Sequence, residues 1–236
     1  MPLESYLDES YLGPGRFVDS DAPSVVAFAH RNSDGTADPA EKARRLFYAV
    51  RDGIYYDPYV AFGHPETYRA SRLLEIGRGF CIPKAALLAA CARVLGIPAR
   101  LGFADVRNHL ASKRLTELMG GTDIFTWHGY TELHLDGRWV KVTPSFNAGM
   151  CEKFRVKPLE FDGRNDSLLH PFDQDGRRHM DYVNDRGTFA DVPFDAIVAD
   201  FSSRYCKLWG ENGEGVGGDL LKEATADRSR SFKTGR

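Results

Sequence analysis

The chain has 236 residues, 42% of them hydrophobic and 12% aromatic, which suffices for one substantial core and fits a single domain with extensions. A formal net charge of −2 with interspersed signs argues against nucleic acid or an anionic membrane as partner, and no apolar run approaches membrane-spanning length. The four cysteines, at 81, 91, 151 and 206, follow neither metal-ligand spacing nor a disulfide framework; together with a start that lacks a basic and then apolar leader, they fit free thiols in a cytoplasmic protein.

Residues 1–40, with Gly13-Pro14-Gly15, Ala22-Pro23 and Asn32-Ser33-Asp34-Gly35, read as an extended or lightly folded approach. Asp38-Pro39-Ala40-Glu41 then supplies a cap, a first-turn proline and an acidic first turn. The helix it opens carries Ala43, Leu46, Phe47 and Val50 at core-facing spacing. A second helix is predicted over 82–95, where Pro83 suits the first turn and Gly96 with Pro98 makes a stop. Ala85, Leu88, Ala92 and Leu95 form one apolar stripe and Leu87, Cys91 and Val94 a second, so this helix is buried. Cys81 stands at its N-terminus, where unpaired N–H groups and the positive end of the helix dipole favour a thiolate. The plain alternative is a small core residue, the usual fate of a free cysteine.

A strand is predicted over 99–106, then a polar excursion over 107–121 holding a short helix around Leu115 to Met119. Asn108 and His109 in that excursion border a substrate site or, as in most polar loops, simply face water. Asp136-Gly137 marks a two-residue hairpin loop between strands 125–135 and 138–143. The implied register pairs His134 with Trp139, Glu132 with Lys141 and Tyr130 with Thr143. Strand alternation puts His128, Tyr130, Glu132, His134, Lys141, Thr143 and Ser145 on a polar face, opposite Trp127, Leu133, Leu135, Val140 and Val142. Residues 151–210 mix aromatics, acids and histidines and read as a wall or lid over a cleft. Asp173 to Gly176 lacks the glycine position and terminal glutamate of a calcium loop, and His170 and His179 lack the spacing of a zinc pair, so neither metal nor cofactor is expected. From Glu211 to the end, Gly-rich and then Arg/Ser/Lys-rich sequence reads as a mobile tail.

Four motifs in order, Gly79-Phe80-Cys81, then Gly96-Ile97-Pro98-Ala99-Arg100, then His128-Gly129-Tyr130-Thr131-Glu132, then Trp139-Val140-Lys141-Val142-Thr143-Pro144-Ser145, resemble the transglutaminase-like superfamily. The resemblance spans about residues 50–147, including Asp52 to Asp57 as the family's first strand. It implies an α+β, papain-related fold, with the nucleophile helix packed on an antiparallel sheet and the family core over about 40–150 of a domain ending near 210. It also implies Cys81 as nucleophile and His128 as base, acting on an amide or other acyl group through a thioester. The Cys81 N–H and Tyr56 then become candidates to hold the oxyanion, and Tyr56, Tyr130, Asn108 and His109 to contact a peptide, amide or small-molecule substrate. Thr143 stands where the family has an aspartate. Three readings follow: Thr143 orients the imidazole weakly, Asn147 completes a Cys-His-Asn set, or the site is idle and the chain is a binding module. A thiolate-dependent lyase or isomerase of a small carbonyl compound is a further alternative, and the oligomeric state is left open.

Overall fold

Two helices precede the nucleophile segment. The structure, a computed structural model describing residues 8–109, 111–220 and 222–223, carries α1 over Pro23–Ser33 and α2 over Pro39–Gly53. The helix α1 replaces the expected extended approach. Its first residue is Pro23, and Val25, Ala29 and Ser33 form a stripe so narrow that composition hides it. The helix α2 begins as its cap predicts: Asp38 Oδ1 accepts from Ala40 N at 3.2 Å, and Ala43, Leu46, Phe47 and Val50 are buried.

A short strand β1, Tyr55–Tyr56, pairs in parallel with β2, Arg78–Gly79, and α3, Ala70–Ile76, lies between them in sequence. Helix α4, Cys81–Val94, follows directly and is buried from Cys81 to Arg93. Two basic side chains in this apolar helix are satisfied by carbonyls. Lys84 Nζ donates to Arg51 O at 2.9 Å and Ile54 O at 2.6 Å, which closes the C-terminal end of α2. Burial pushes the Lys84 ammonium down to about 7. At the other end Arg93 donates to Ala99 O and, at 2.8 Å, to Gly13 O, fixing the approach segment to the core.

The main sheet is antiparallel, with strand order β5-β4-β3-β6. Its members are β3, Ala99–Asn108; β4, Ile124–Leu135; β5, Arg138–Val142; and β6, Met180–Phe189. Helix α4 packs across β3 and β4, and α5, Lys113–Leu118, occupies the excursion between them. The hairpin turn has φ of 48° at Asp136 and 80° at Gly137, and the pairs His134–Trp139 and Glu132–Lys141 form as the two-residue loop dictates. The ladder ends at Thr131–Val142. The expected Tyr130–Thr143 pair is not made, because Thr143 N donates instead to Ser167 O at 2.9 Å and Ser167 N to Lys141 O at 2.8 Å.

After Pro144 the chain forms α6, Ala148–Phe154, and later α7, Phe194–Arg204, and α8, Cys206–Trp209. Within the expected wall, β6 is a full-length edge strand. Most of its residues face water, which erases the alternation that would have announced it. The expected tail is held as far as Glu223, whose carboxylate receives hydrogen bonds from the Tyr59 hydroxyl, from Ser112 Oγ at 2.9 Å and from Arg114 at 3.2 Å. Residues 224–236 lie outside the described residues. No helix among the described residues is long and apolar enough to cross a membrane.

Candidate active site

Cys81 is the first residue of α4, and its neighbour Ile82 sits directly on β4. This approach requires Gly129: a Cβ there would lie 3.1 Å from Ile82 Cα and 3.3 Å from Ile82 Cγ1. Thr131 secures the same contact two residues on, its Oγ1 donating to Ala85 O at 2.9 Å. The sulfur is thereby placed beside the backbone N–H groups of Gly129, Ile82 and Cys81, each of which favours the thiolate. Burial outweighs them and pushes the thiol up to about 11. The helix terminus is present as the sequence implies, but in the closed pocket it does not make a resting thiolate.

His128 lines the same pocket as Cys81. It reaches that position through a β-bulge. Ala104 pairs with His128 and Val106 with Phe125, so that Thr126 and Trp127 together oppose Asp105. Trp127 takes a left-handed conformation, φ 57°, held by its N–H to Asp105 Oδ1 at 3.2 Å. Arg186 donates to the same oxygen at 2.5 Å and lies 4.5 Å above the Trp127 ring centroid. Simple alternation assigns Trp127 and His128 to opposite faces, whereas the bulge turns both toward one cavity. Burial pushes the imidazole down to about 4, so at neutral pH the pocket holds a neutral thiol and a neutral base. No hydrogen bond joins the two.

Several polar atoms of the predicted site and its surroundings are unsatisfied. His128 Nε2, Thr143 Oγ1, Ser145 Oγ and Ser167 Oγ are all buried without a hydrogen-bond partner. Neither Asp105 nor Asp162 is bonded to the imidazole: Asp105 is committed to Trp127, Asn184 and Arg186, and Asp162 to Arg164 and Asn165. Tyr182 on β6, unanticipated by the sequence, packs edge-on to the His128 ring at 6.4 Å and 70°, with Thr143 and the Leu169 backbone close to its hydroxyl.

The remaining predicted residues divide. Tyr56 and Asn108 line the Cys81 pocket, and burial, reinforced by the nearby Cys81, raises the Tyr56 phenol well above its usual range. Asn147 is not at the imidazole; its Oδ1 accepts from Tyr56 N at 3.3 Å, because the chain turns into α6 straight after Pro144. Tyr130 covers Gly102, where a Cβ would meet its ring, and lines a separate surface depression with Lys141 and Tyr182. His109 pairs with Asp181 at 2.8 Å and is not among the residues lining the pocket. The rest of the pocket wall is mostly aromatic and apolar, including Phe62, Phe80, Phe201 and Tyr205, with Thr126 the polar exception. Phe80 lies within a motif and Trp127 and Phe146 adjoin one, whereas Phe62, Phe201 and Tyr205 are brought in by tertiary folding. Among the described residues no group of three or more His, Cys, Asp or Glu side chains is placed to hold a metal ion. Asp173, in the acidic run, is occupied by Arg177 and the Asp175 and Arg177 N–H groups.

A cysteine at the mouth of a buried helix, in one pocket with a histidine on a sheet strand that the helix packs against, defines a papain-related cysteine-enzyme fold. The chain belongs to the transglutaminase-like superfamily, whose family model matches residues 26–144, about half its length. No curated protein matches the chain. Among solved structures it is similar to a candidate cysteine protease from Cytophaga hutchinsonii at 18% identity and TM-score 0.48, covering 84% of this chain and 53% of that one. A candidate protease from Parabacteroides distasonis is similar at 17% identity and TM-score 0.36, covering 54% of this chain and 23% of that one. The chain therefore spans about half of the first relative and less of the second.

Proposed function

We propose that the protein is a cysteine hydrolase or acyl transferase that acts on an amide or other acyl group through a thioester, with hydrolysis favoured over transfer. The observation that carries this reading is the meeting of Cys81 and His128 in one buried pocket. Cys81 Sγ attacks the carbonyl carbon as His128 accepts the thiol proton; the proton then passes to the leaving group, and water or an amine cleaves the thioester. A depressed imidazole suits a base that begins unprotonated. The backbone N–H of Cys81 and the Tyr56 hydroxyl are the proposed oxyanion donors. The raised Tyr56 phenol keeps its proton at neutral pH and so remains a donor. We also place the protein in the cytoplasm, on the evidence of four free cysteines.

A second reading, a binding module with an inert thiol, draws support from Thr143 at the aspartate position and from the absence of a bond between Cys81 and His128. A panel of amides, esters and small carbonyl compounds, offered to the wild type and to Cys81→Ala, separates the two. Turnover lost in the variant by at least about a thousandfold supports the enzyme; equal product formation by both proteins overturns it.

A further inference from the structure

The Cys81 pocket adjoins a second cavity. The two share Tyr56, Asn108 and Phe146 in their walls, with the Tyr56 and Phe146 rings meeting edge to face at 4.7 Å as a common rim. Beyond that rim the wall is formed by side chains such as Leu115, Met150, Phe154 and Val156. Among the described residues neither cavity is lined by an Asp, Glu, Lys or Arg. The two histidines in these walls, His128 and His179, are both held neutral by burial, each pushed down to about 4. Three uncharged polar atoms in the lining residues are buried without partners: Trp127 Nε1 and His128 Nε2 in the Cys81 pocket and His179 Nδ1 in the second cavity. A charged ligand group entering this space would lose its hydration and find no counter-ion, whereas an apolar chain gains by leaving water.

We propose that the two cavities form one site for an uncharged, apolar acyl chain, aliphatic or aromatic, whose carbonyl is presented to Cys81. This assignment of substrate class rests on the acyl chemistry proposed above. The sulfur–carbon bond forms as the bond to the leaving group breaks, the thiol proton passes through His128 to that group, and water then releases the carboxylic acid. The chain occupies the cavity beyond Tyr56 and Phe146, and its length and polarity set the specificity.

The test is a series of 4-nitrophenyl esters, acetyl, butanoyl, hexanoyl and 3-phenylpropionyl, beside the charged succinyl and 6-aminohexanoyl esters. The expected result is a Cys81-dependent kcat/KM that rises about threefold per methylene from acetyl to hexanoyl, with both charged esters at least roughly tenfold below hexanoyl. Met150→Trp, which fills the second cavity, is expected to lower the hexanoyl-to-acetyl ratio by about tenfold. A flat series, or succinyl turned over as well as hexanoyl, overturns the proposal. Should no ester be hydrolysed in a Cys81-dependent way, the reaction assigned to the site fails, and binding then decides the pocket. Cys81→Ala titrated with acetamide, hexanamide and succinamate by calorimetry is expected to bind hexanamide at least about tenfold more tightly than the others; equal binding of the three overturns the proposal.

Discussion

The packing of α4 on β4 and the strand end after Val142 are built to different standards. Where α4 meets β4 the packing is closed: Gly129 admits the helix, Thr131 bonds Ala85 O of α4, and Lys84 bonds the end of α2. Past Val142 the contacts are not closed: the hydroxyls of Thr143, Ser145 and Ser167 lie buried and unpaired. The family's aspartate would have satisfied that side and held an imidazolium; a hydroxyl leaves both tasks undone. The lesson is that the nucleophile and its orienting group are separable in this fold. Packing of α4 on β4 positions the sulfur whatever follows Val142, so a change at residue 143 alters the electrostatics of the base and leaves the architecture intact.

That contrast yields graded expectations. Lys84→Met should cost most, about 3 kcal/mol in urea unfolding, since it strips two buried carbonyls at the end of α2 of their donor. Gly129→Ala comes next, at about 1–2 kcal/mol of stability and a larger loss of activity, because the added methyl lifts Ile82 and moves the sulfur. Both are measured by denaturation, and little loss in either would show that the closed side is less constrained than its contacts imply. On the slack side, Thr143→Asp should raise the His128 pKa from about 4 by at least about one unit, worth roughly 1.4 kcal/mol between protonation states. An imidazole titration by NMR reads this directly, and an unchanged pKa would mean that residue 143 does not face the ring. Ser145→Ala should change stability by less than about 0.5 kcal/mol, since its hydroxyl makes no bond to lose. A large loss there would reveal a network on this side.

What could be read from sequence follows the same division. The α4 limits and the hairpin register depend on local chemistry, a first-turn proline, a glycine stop and an Asp-Gly turn, and each is legible residue by residue. The bulge at Trp127 is not, because it depends on Asp105 and Arg186 meeting from β3 and β6. Nor is the fate of Asn147: strand parity has no force once Pro144 leads the chain away from β4. Edge strand β6 and the aromatic lining of the pocket are products of tertiary contact. Tyr182 reaches the imidazole from a strand whose exposed residues disguise it.

The most direct test of the central claim needs no substrate. The rate at which iodoacetamide labels each cysteine at neutral pH, followed by peptide mass mapping, is compared between the wild type and His128→Ala, with the exposed Cys206 as internal reference and Cys91 and Cys151 as buried thiols without a base. If His128 assists Cys81, labelling of Cys81 outpaces that of Cys91 and Cys151 in the wild type and falls by at least about tenfold in the variant, while Cys206 is unchanged. Labelling of Cys81 at the same rate in both proteins, or no faster than Cys91, would contradict the assignment of a working cysteine–histidine pair.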